Sequence, residues 1–128
     1  MNKLFIIGNL TRDPELRAMP DGRSVCNFTV AVNKRVKKGA HPEADFFRCT
    51  VWDALAENCG KYLAKGRKVN AVGPVSLAHY ADQNGEIRYY LQMNAQDVEF
   101  LSPKGQGGEA AADAAAGYVQ VEDEDGNF

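Results

Sequence analysis

A chain of 128 residues, 45% hydrophobic and 25% charged, is long enough for one domain, since roughly 100 residues give a workable core. No apolar run approaches the ~20 residues that span a bilayer. The net charge of −2 hides two regions of opposite sign. All 15 Lys and Arg lie at or before Lys104, against eleven Asp and Glu, whereas the residues after it hold six carboxylates and no base. A basic body suits a polyanion, and an acidic tail suits something else.

The start, Met1 to Ile7, has one charge and a short apolar run that Gly8-Asn9 ends, with no small-residue cleavage site, so no signal peptide is expected. Three cysteines, Cys26, Cys49 and Cys59, are odd in number and lack CxxC spacing. They point to a reducing cytoplasm and to thiols used as small apolar residues.

In chain order, Lys3 to Leu10 reads as a strand, broken by the turn-rich Thr11-Arg12-Asp13-Pro14. Glu15 to Met19 is a short extended piece ended by Pro20-Asp21-Gly22. Val25 to Asn33 alternates, with Cys26, Phe28, Val30 and Val32 on one side and Asn27, Thr29 and Asn33 opposite, the pattern of a half-buried strand. Lys34 to Ala44 is a basic loop, and Asp45 to Trp52 is again a strand.

One segment reads as helix. Asp53 is its expected N-cap, Leu55, Cys59, Tyr62 and Leu63 share a face, and Lys65-Gly66 supplies the stop. Strands resume at Lys68 to Val72, Val75 to Tyr80, Arg88 to Met93 and Val98 to Leu101, with Asn84-Gly85 as a hairpin turn. This order predicts an all-β, five-stranded Greek-key barrel of the OB type, its one short helix lying between the third and fourth barrel strands.

The domain is expected to end at residue 102. Residues 103–121 form a Gly/Ala-rich stretch without the apolar side chains for a core and are expected to be a flexible linker. Residues 122–128 form an acidic tip, and the whole tail is expected to be disordered.

The strand Asp45 to Trp52 is the most informative segment. Phe47, Cys49 and Val51 suit the barrel interior, while Phe46, Arg48, Thr50 and Trp52 face the other way. Aromatics flanking a guanidinium make a stacking platform with a phosphate partner, and each stacked base contributes ~1–3 kcal/mol regardless of sequence. The bland alternative is an outer face covered by a loop or another subunit. Tyr80, just before the hairpin tip, either clamps a strand or packs locally on Tyr89 or Tyr90. Lys34, Arg35, Lys37 and Lys38 form the densest positive cluster. They are either a solvated loop or, beside stacking faces, a charged track for phosphates, and the second is expected.

Catalytic constellations are not expected. His41 and His79 have no second ligand at metal spacing, there is no phosphate loop or nucleophile elbow, and the Asp82/Glu86 pair reads as turn chemistry. No cofactor and no metal are predicted.

These residues resemble those of the bacterial single-stranded DNA-binding proteins. Gly8-Asn9-Leu10 with Asp13-Pro14-Glu15-Leu16-Arg17 is similar to that family's opening signature. Asp45 to Trp52 with Leu55-Ala56-Glu57, then Tyr62-Leu63-Ala64-Lys65-Gly66, resembles its central block, and Tyr80-Ala81-Asp82-Gln83-Asn84-Gly85 its hairpin. Together these motifs cover nearly all of residues 1–101 in register.

The resemblance implies an OB fold assembled as a homotetramer that binds and protects single-stranded DNA without sequence preference in replication, recombination and repair, in the cytoplasm on the nucleoid. It places stacking on Phe46, Trp52 and Tyr80, and backbone contacts on Lys3, Arg48 and Lys65. It also implies that Glu122, Asp123, Glu124, Asp125 and Phe128 recruit replication, recombination and repair proteins. The sequence departs from the family at Gly126-Asn127, where a hydrophobic residue and a proline are usual, at Val36, where an aromatic often stands, and at Ser76-Leu77-Ala78-His79, which lacks basic residues. Two other classes stay open on the residues alone: an OB module that binds proteins, and a small hydrolase or nuclease.

Overall fold

The computed structural model describes residues 1–102, so the expected linker at 103–121 and tip at 122–128 lie outside the described residues. Period-two patterning becomes eight strands: β1 Leu4–Leu10, β2 Glu15–Ala18, β3 Ser24–Asn33, β4 Ala44–Trp52, β5 Lys68–Gly73, β6 Val75–Ala81, β7 Ile87–Asn94 and β8 Asp97–Phe100. The helix α1, Asp53–Tyr62, separates β4 from β5.

The strands follow the path β6-β7-β4-β3-β1-β5-β8, with β2 also pairing β3. All pairs are antiparallel except β4 with β7, which run parallel at Arg48↔Gln92 and Thr50↔Asn94. Five strands make the OB barrel: β1, β3, β4, β5 and the bent segment β7–β8. β2 and β6 are additions at its edges, which is why eight strands appear where five barrel strands were expected. The ladder is not continuous around the ring. At the bend, Ala95 N donates to Thr50 O at 2.9 Å and Gln96 N to Val72 O at 2.8 Å, tying the segment to both sides.

Inward-facing residues of every barrel strand meet in one core, including Leu10, Phe28, Val30, Val51, Val69 and Met93, with all three cysteines among them. Burying each large apolar side chain contributes about 1.5–3 kcal/mol. The thiols are free, and burial pushes Cys26 up to about 11 and Cys49 and Cys59 to about 12. They sit as core residues, as their scattered spacing suggests.

Helix α1 covers the core with Ala56 and Cys59, and Leu63 just beyond it is buried as well. Three details differ from the pattern. Trp52, in extended geometry, occupies the N-cap position with no side-chain cap; Asp53 is the first helical residue. The helix stops at Tyr62 because Leu63 turns extended, its N–H still donating to Cys59 O at 3.0 Å, so Gly66 does not form the stop. Tyr62 is exposed and rests against Phe100, with ring centroids 6.2 Å apart.

The outer face of β3 is also less open than its polar residues suggest. Thr29 is only 3% exposed and Ala31 2%, and their partners across the ladder are the long side chains of Arg48 and Phe46.

Candidate nucleic-acid interface

Register decides which side chains share the outer wall. β4 pairs β3 at Ala31↔Phe46, Thr29↔Arg48, Asn27↔Thr50 and Val25↔Trp52. Paired residues point to the same side, so Phe46, Arg48, Thr50 and Trp52 stand over the outward face of β3. The span from Phe46 to Trp52 is about 20 Å at the usual strand rise. Both aromatics are half-buried and lie on the wall, away from the barrel interior.

The parallel pairing of Arg48 with Gln92 brings β7 to the same wall. The Arg48 guanidinium lies over the Tyr90 ring at 3.9 Å from its centroid. Tyr90 in turn meets Tyr80 of β6, ring centroids 6.0 Å apart and tilted by 45°. Tyr80 therefore packs locally on Tyr90 and extends the aromatic surface of the wall. A polar ladder holds the three strands together beneath: Gln92 Nε2 donates to Thr50 Oγ1 at 2.8 Å, and Thr50 Oγ1 to Asn27 Oδ1 at 2.7 Å.

Over this wall opens a cleft of about 320 Å³ lined by Arg12, Arg17, Arg48, Thr29 and Gln92, with Asp13 and Glu15 at its edge. Three guanidinium groups against two carboxylates make it cationic. Arg17 is held by Glu15 through Nη2 to Oε1 at 2.7 Å. Asp13 Oδ1 accepts from the Lys65 backbone N–H at 2.9 Å. This contact ties the backbone of the exposed Lys65 to a residue that lines the cleft.

At the opposite end of β4, the loop of residues 34–43 leaves β3 two residues beyond the Ala31↔Phe46 pair. Lys34, Arg35, Lys37 and Lys38 are all exposed there, and Lys34 Nζ is 3.4 Å from Asp45 Oδ1. Lys3 makes no described contact with the wall residues. It stands exposed just before β1, beside the two bonds that join Asn2 to the backbone of Val75. The structure thus gathers Phe46, Arg48, Trp52 and Tyr80 along one wall, with the basic loop following the end of β3 beside Phe46 and with Lys65 and Lys3 exposed outside the described contacts of that wall.

Sequence reading missed Arg12, Arg17, Tyr90 and Gln92 as wall residues. Period-two alternation in β7, with Arg88, Tyr90 and Gln92 on one side, carries that signal once its face is known. The hairpin tip is built by Asp82 rather than by the Asn-Gly pair alone. Asp82 Oδ1 accepts from the N–H of Asn84 at 2.8 Å and of Glu86 at 3.0 Å, and Oδ2 accepts from Arg88 Nε at 3.0 Å. The side chain is 4% exposed, and the Arg88 bond holds its carboxyl below the ordinary range.

Among the described residues no group of His, Cys, Asp and Glu is arranged to hold a metal ion, and no helix is long and apolar enough to cross a membrane.

The barrel and its cationic, aromatic wall define an OB-type binding domain. Residues 1–101 match the model of the single-strand binding protein family, and the chain belongs to that family. The single-stranded DNA-binding protein of Oceanobacillus iheyensis is 38% identical over 122 residues, covering 94% of this chain and 74% of the relative. That of Bacillus cereus is 39% identical over 110 residues, covering 85% of this chain and 65% of the relative. Single-stranded DNA-binding protein 2 of Clostridium acetobutylicum is 41% identical over 102 residues, with 79% and 77% covered. The chain thus spans just under two thirds of the Bacillus cereus protein and about three quarters of the other two. None of the three is named for a catalytic activity.

Proposed function

We propose that the chain binds single-stranded DNA without sequence preference and protects it, with Phe46, Trp52 and Tyr80 stacking bases and Arg48, Lys65 and the basic loop neutralising phosphates. The observation that carries this reading is the outer wall itself. Stacking rings and guanidinium groups share one open face about 20 Å long at strand rise, and unpaired nucleotides need both at once. Duplex DNA hides its base faces, so a stacking wall favours single strands. Family membership and the printed names of the relatives support the same substrate class.

The test is a titration of Trp52 fluorescence with poly(dT) at two salt concentrations beside a duplex control. Expected are quenching, a strong preference over duplex, and a salt slope of roughly −0.7 per neutralised phosphate. Absence of both quenching and binding at low salt overturns the reading.

The chain also self-assembles in this reading, as a homotetramer. Support comes from large apolar side chains at the surface, Phe5 at 66% and Ile7 on β1, and Leu77, Ile87 and Tyr89 on the hairpin side opposite the wall. Isolated barrels rarely leave so much apolar surface in water. Cytoplasmic action on the nucleoid, in replication, recombination and repair, follows from the same substrate.

The acidic tip, Glu122, Asp123, Glu124, Asp125 and Phe128, recruits partner proteins of those processes, on the strength of its charge separation from the basic body. Deleting residues 119–128 leaves strand binding intact or slightly tighter at low salt, because a tethered anion competes for the cationic wall. Collapse of binding in that deletion would assign the tail to the binding surface instead.

A further inference from the structure

Trp52 has a close companion that the wall does not require. The Arg23 guanidinium lies over the indole, 4.7 Å from the ring centroid. Its Nε and Nη2 each donate to a different oxygen of Asp53 at 3.0 Å. The planar fork is thus matched to a carboxylate that belongs to the residue after Trp52. Its backbone is held too: Arg23 N donates to Asp21 Oδ1 at 3.0 Å, and Arg23 O accepts from Met19 N at 2.8 Å. The β2–β3 turn therefore delivers this side chain to the indole.

Asp53 adopts φ 59°, the one positive φ at a non-glycine residue among those described. That left-handed conformation is one glycine enters freely and aspartate enters at a cost. Both partners of the ion pair are more than half solvent-accessible or close to it, 50% for Arg23 and 59% for Asp53. Exposed pairs add little to stability, so stability alone does not account for a strained residue that holds an arginine against a tryptophan.

We propose that Arg23 is a positioning residue for base stacking: fixed by Asp53, it backs one face of Trp52 and holds the indole ready for an unpaired base on the other. This rests on the single-strand-binding reading above. A ring held before binding loses less rotational freedom when a base stacks on it, and a cation against one π face adds its own attraction to the stack. The exposed carboxylate of Asp53 also draws Arg23 away from phosphates, so its part is in orientation.

The chain has a single tryptophan, so its fluorescence reports on this ring alone. Affinity is read separately, from the anisotropy of a labelled oligo(dT), on the full chain. Arg23→Ala is expected to weaken binding about two- to fivefold, the size of a partly exposed cation–π contact, and to shift the emission of the free protein. In a Trp52→Ala background the same change is expected to have no further effect. Asp53→Gly relieves the left-handed strain yet releases Arg23, so it is expected to keep or raise thermal stability while weakening binding. Stability and affinity moving apart is the signature that a merely structural pair would not produce.

Equal weakening by Arg23→Ala in both backgrounds would overturn the proposal by making Arg23 an independent phosphate contact. Tighter binding in Arg23→Ala would overturn it by showing that the guanidinium covers the face a base needs. Failure of the underlying reading looks different: the unaltered chain would then show neither quenching nor binding with oligo(dT), and both would fall.

Discussion

The guanidinium carbon of Arg48 lies 3.9 Å from the centroid of the Tyr90 ring, joining two strands that are parallel neighbours only through the fold. The contact fixes a cation at the middle of the wall between Phe46 and Trp52. Replacing Tyr90 by Phe keeps the ring and is expected to leave oligo(dT) affinity within about twofold. Tyr90→Ala removes the ring under the Arg48 guanidinium and is expected to weaken binding about two- to fivefold, the range of a cation–π contact. Anisotropy titrations of the two variants check the pair.

In the proposed reading the basic loop contributes charge without stacking. Lys34 is already 3.4 Å from Asp45, so in that reading Arg35, Lys37 and Lys38 carry the loop's phosphate contacts. Changing those three to Gln is expected to make the slope of log affinity against log salt shallower by about 2, at about 0.7 per lost contact. Affinity should fall alike for every base sequence. A slope that stays put would remove the loop from the interface.

Acid should loosen the hairpin. The hydrogen bond from Arg88, aided by the N–H groups of Glu86 and Asn84, holds the Asp82 carboxyl below its ordinary range. A depressed folded-state pKa adds stability above the unfolded value, about 4, and that stability is lost as pH falls through the folded value. Thermal melts from neutral pH into acid should show this loss below about pH 4. In Asp82→Asn the melting temperature should start lower at neutral pH and fall less on acidification.

The thiols should be silent in the native state. Burial holds Cys26 at about 11 and Cys49 and Cys59 at about 12, so almost no thiolate exists near neutral pH. A disulfide reagent such as DTNB is expected to find none of the three until denaturant is added, and then all of them.

Close strand contact leaves no room at Gly8. A Cβ there would run into the carbonyl oxygen of Ala31 and come within 2.8 Å of Val30 Cγ1. Gly8→Ala should therefore force β1 away from β3 and cost about 1–3 kcal/mol, as overpacking does. Urea unfolding would measure it.

Much of the fold was legible because strand patterning is local. Cys26, Phe28 and Val30 alternate with Asn27 and Thr29 whatever their neighbours do, and each expected strand end falls within one residue of its place. The single helix was legible too, yet its ends were not. Asp53 looked like a cap by residue type, but its carboxylate reaches Arg23 instead. Gly66 looked like a stop, but Leu63 leaves the helix first.

Phe46, Arg48 and Trp52 could be placed on one face by counting along β4, so the heart of the candidate site was legible from residue order. Tertiary structure alone decided what surrounds them. Arg48 meets Tyr90 because β4 and β7 run side by side, and Trp52 meets Arg23 because β3 pairs with β4. Alternation along a strand follows from the pleat of a few adjacent residues. Which strands become neighbours, and in what register, depends on how the whole core packs, and no short stretch of chain carries that information.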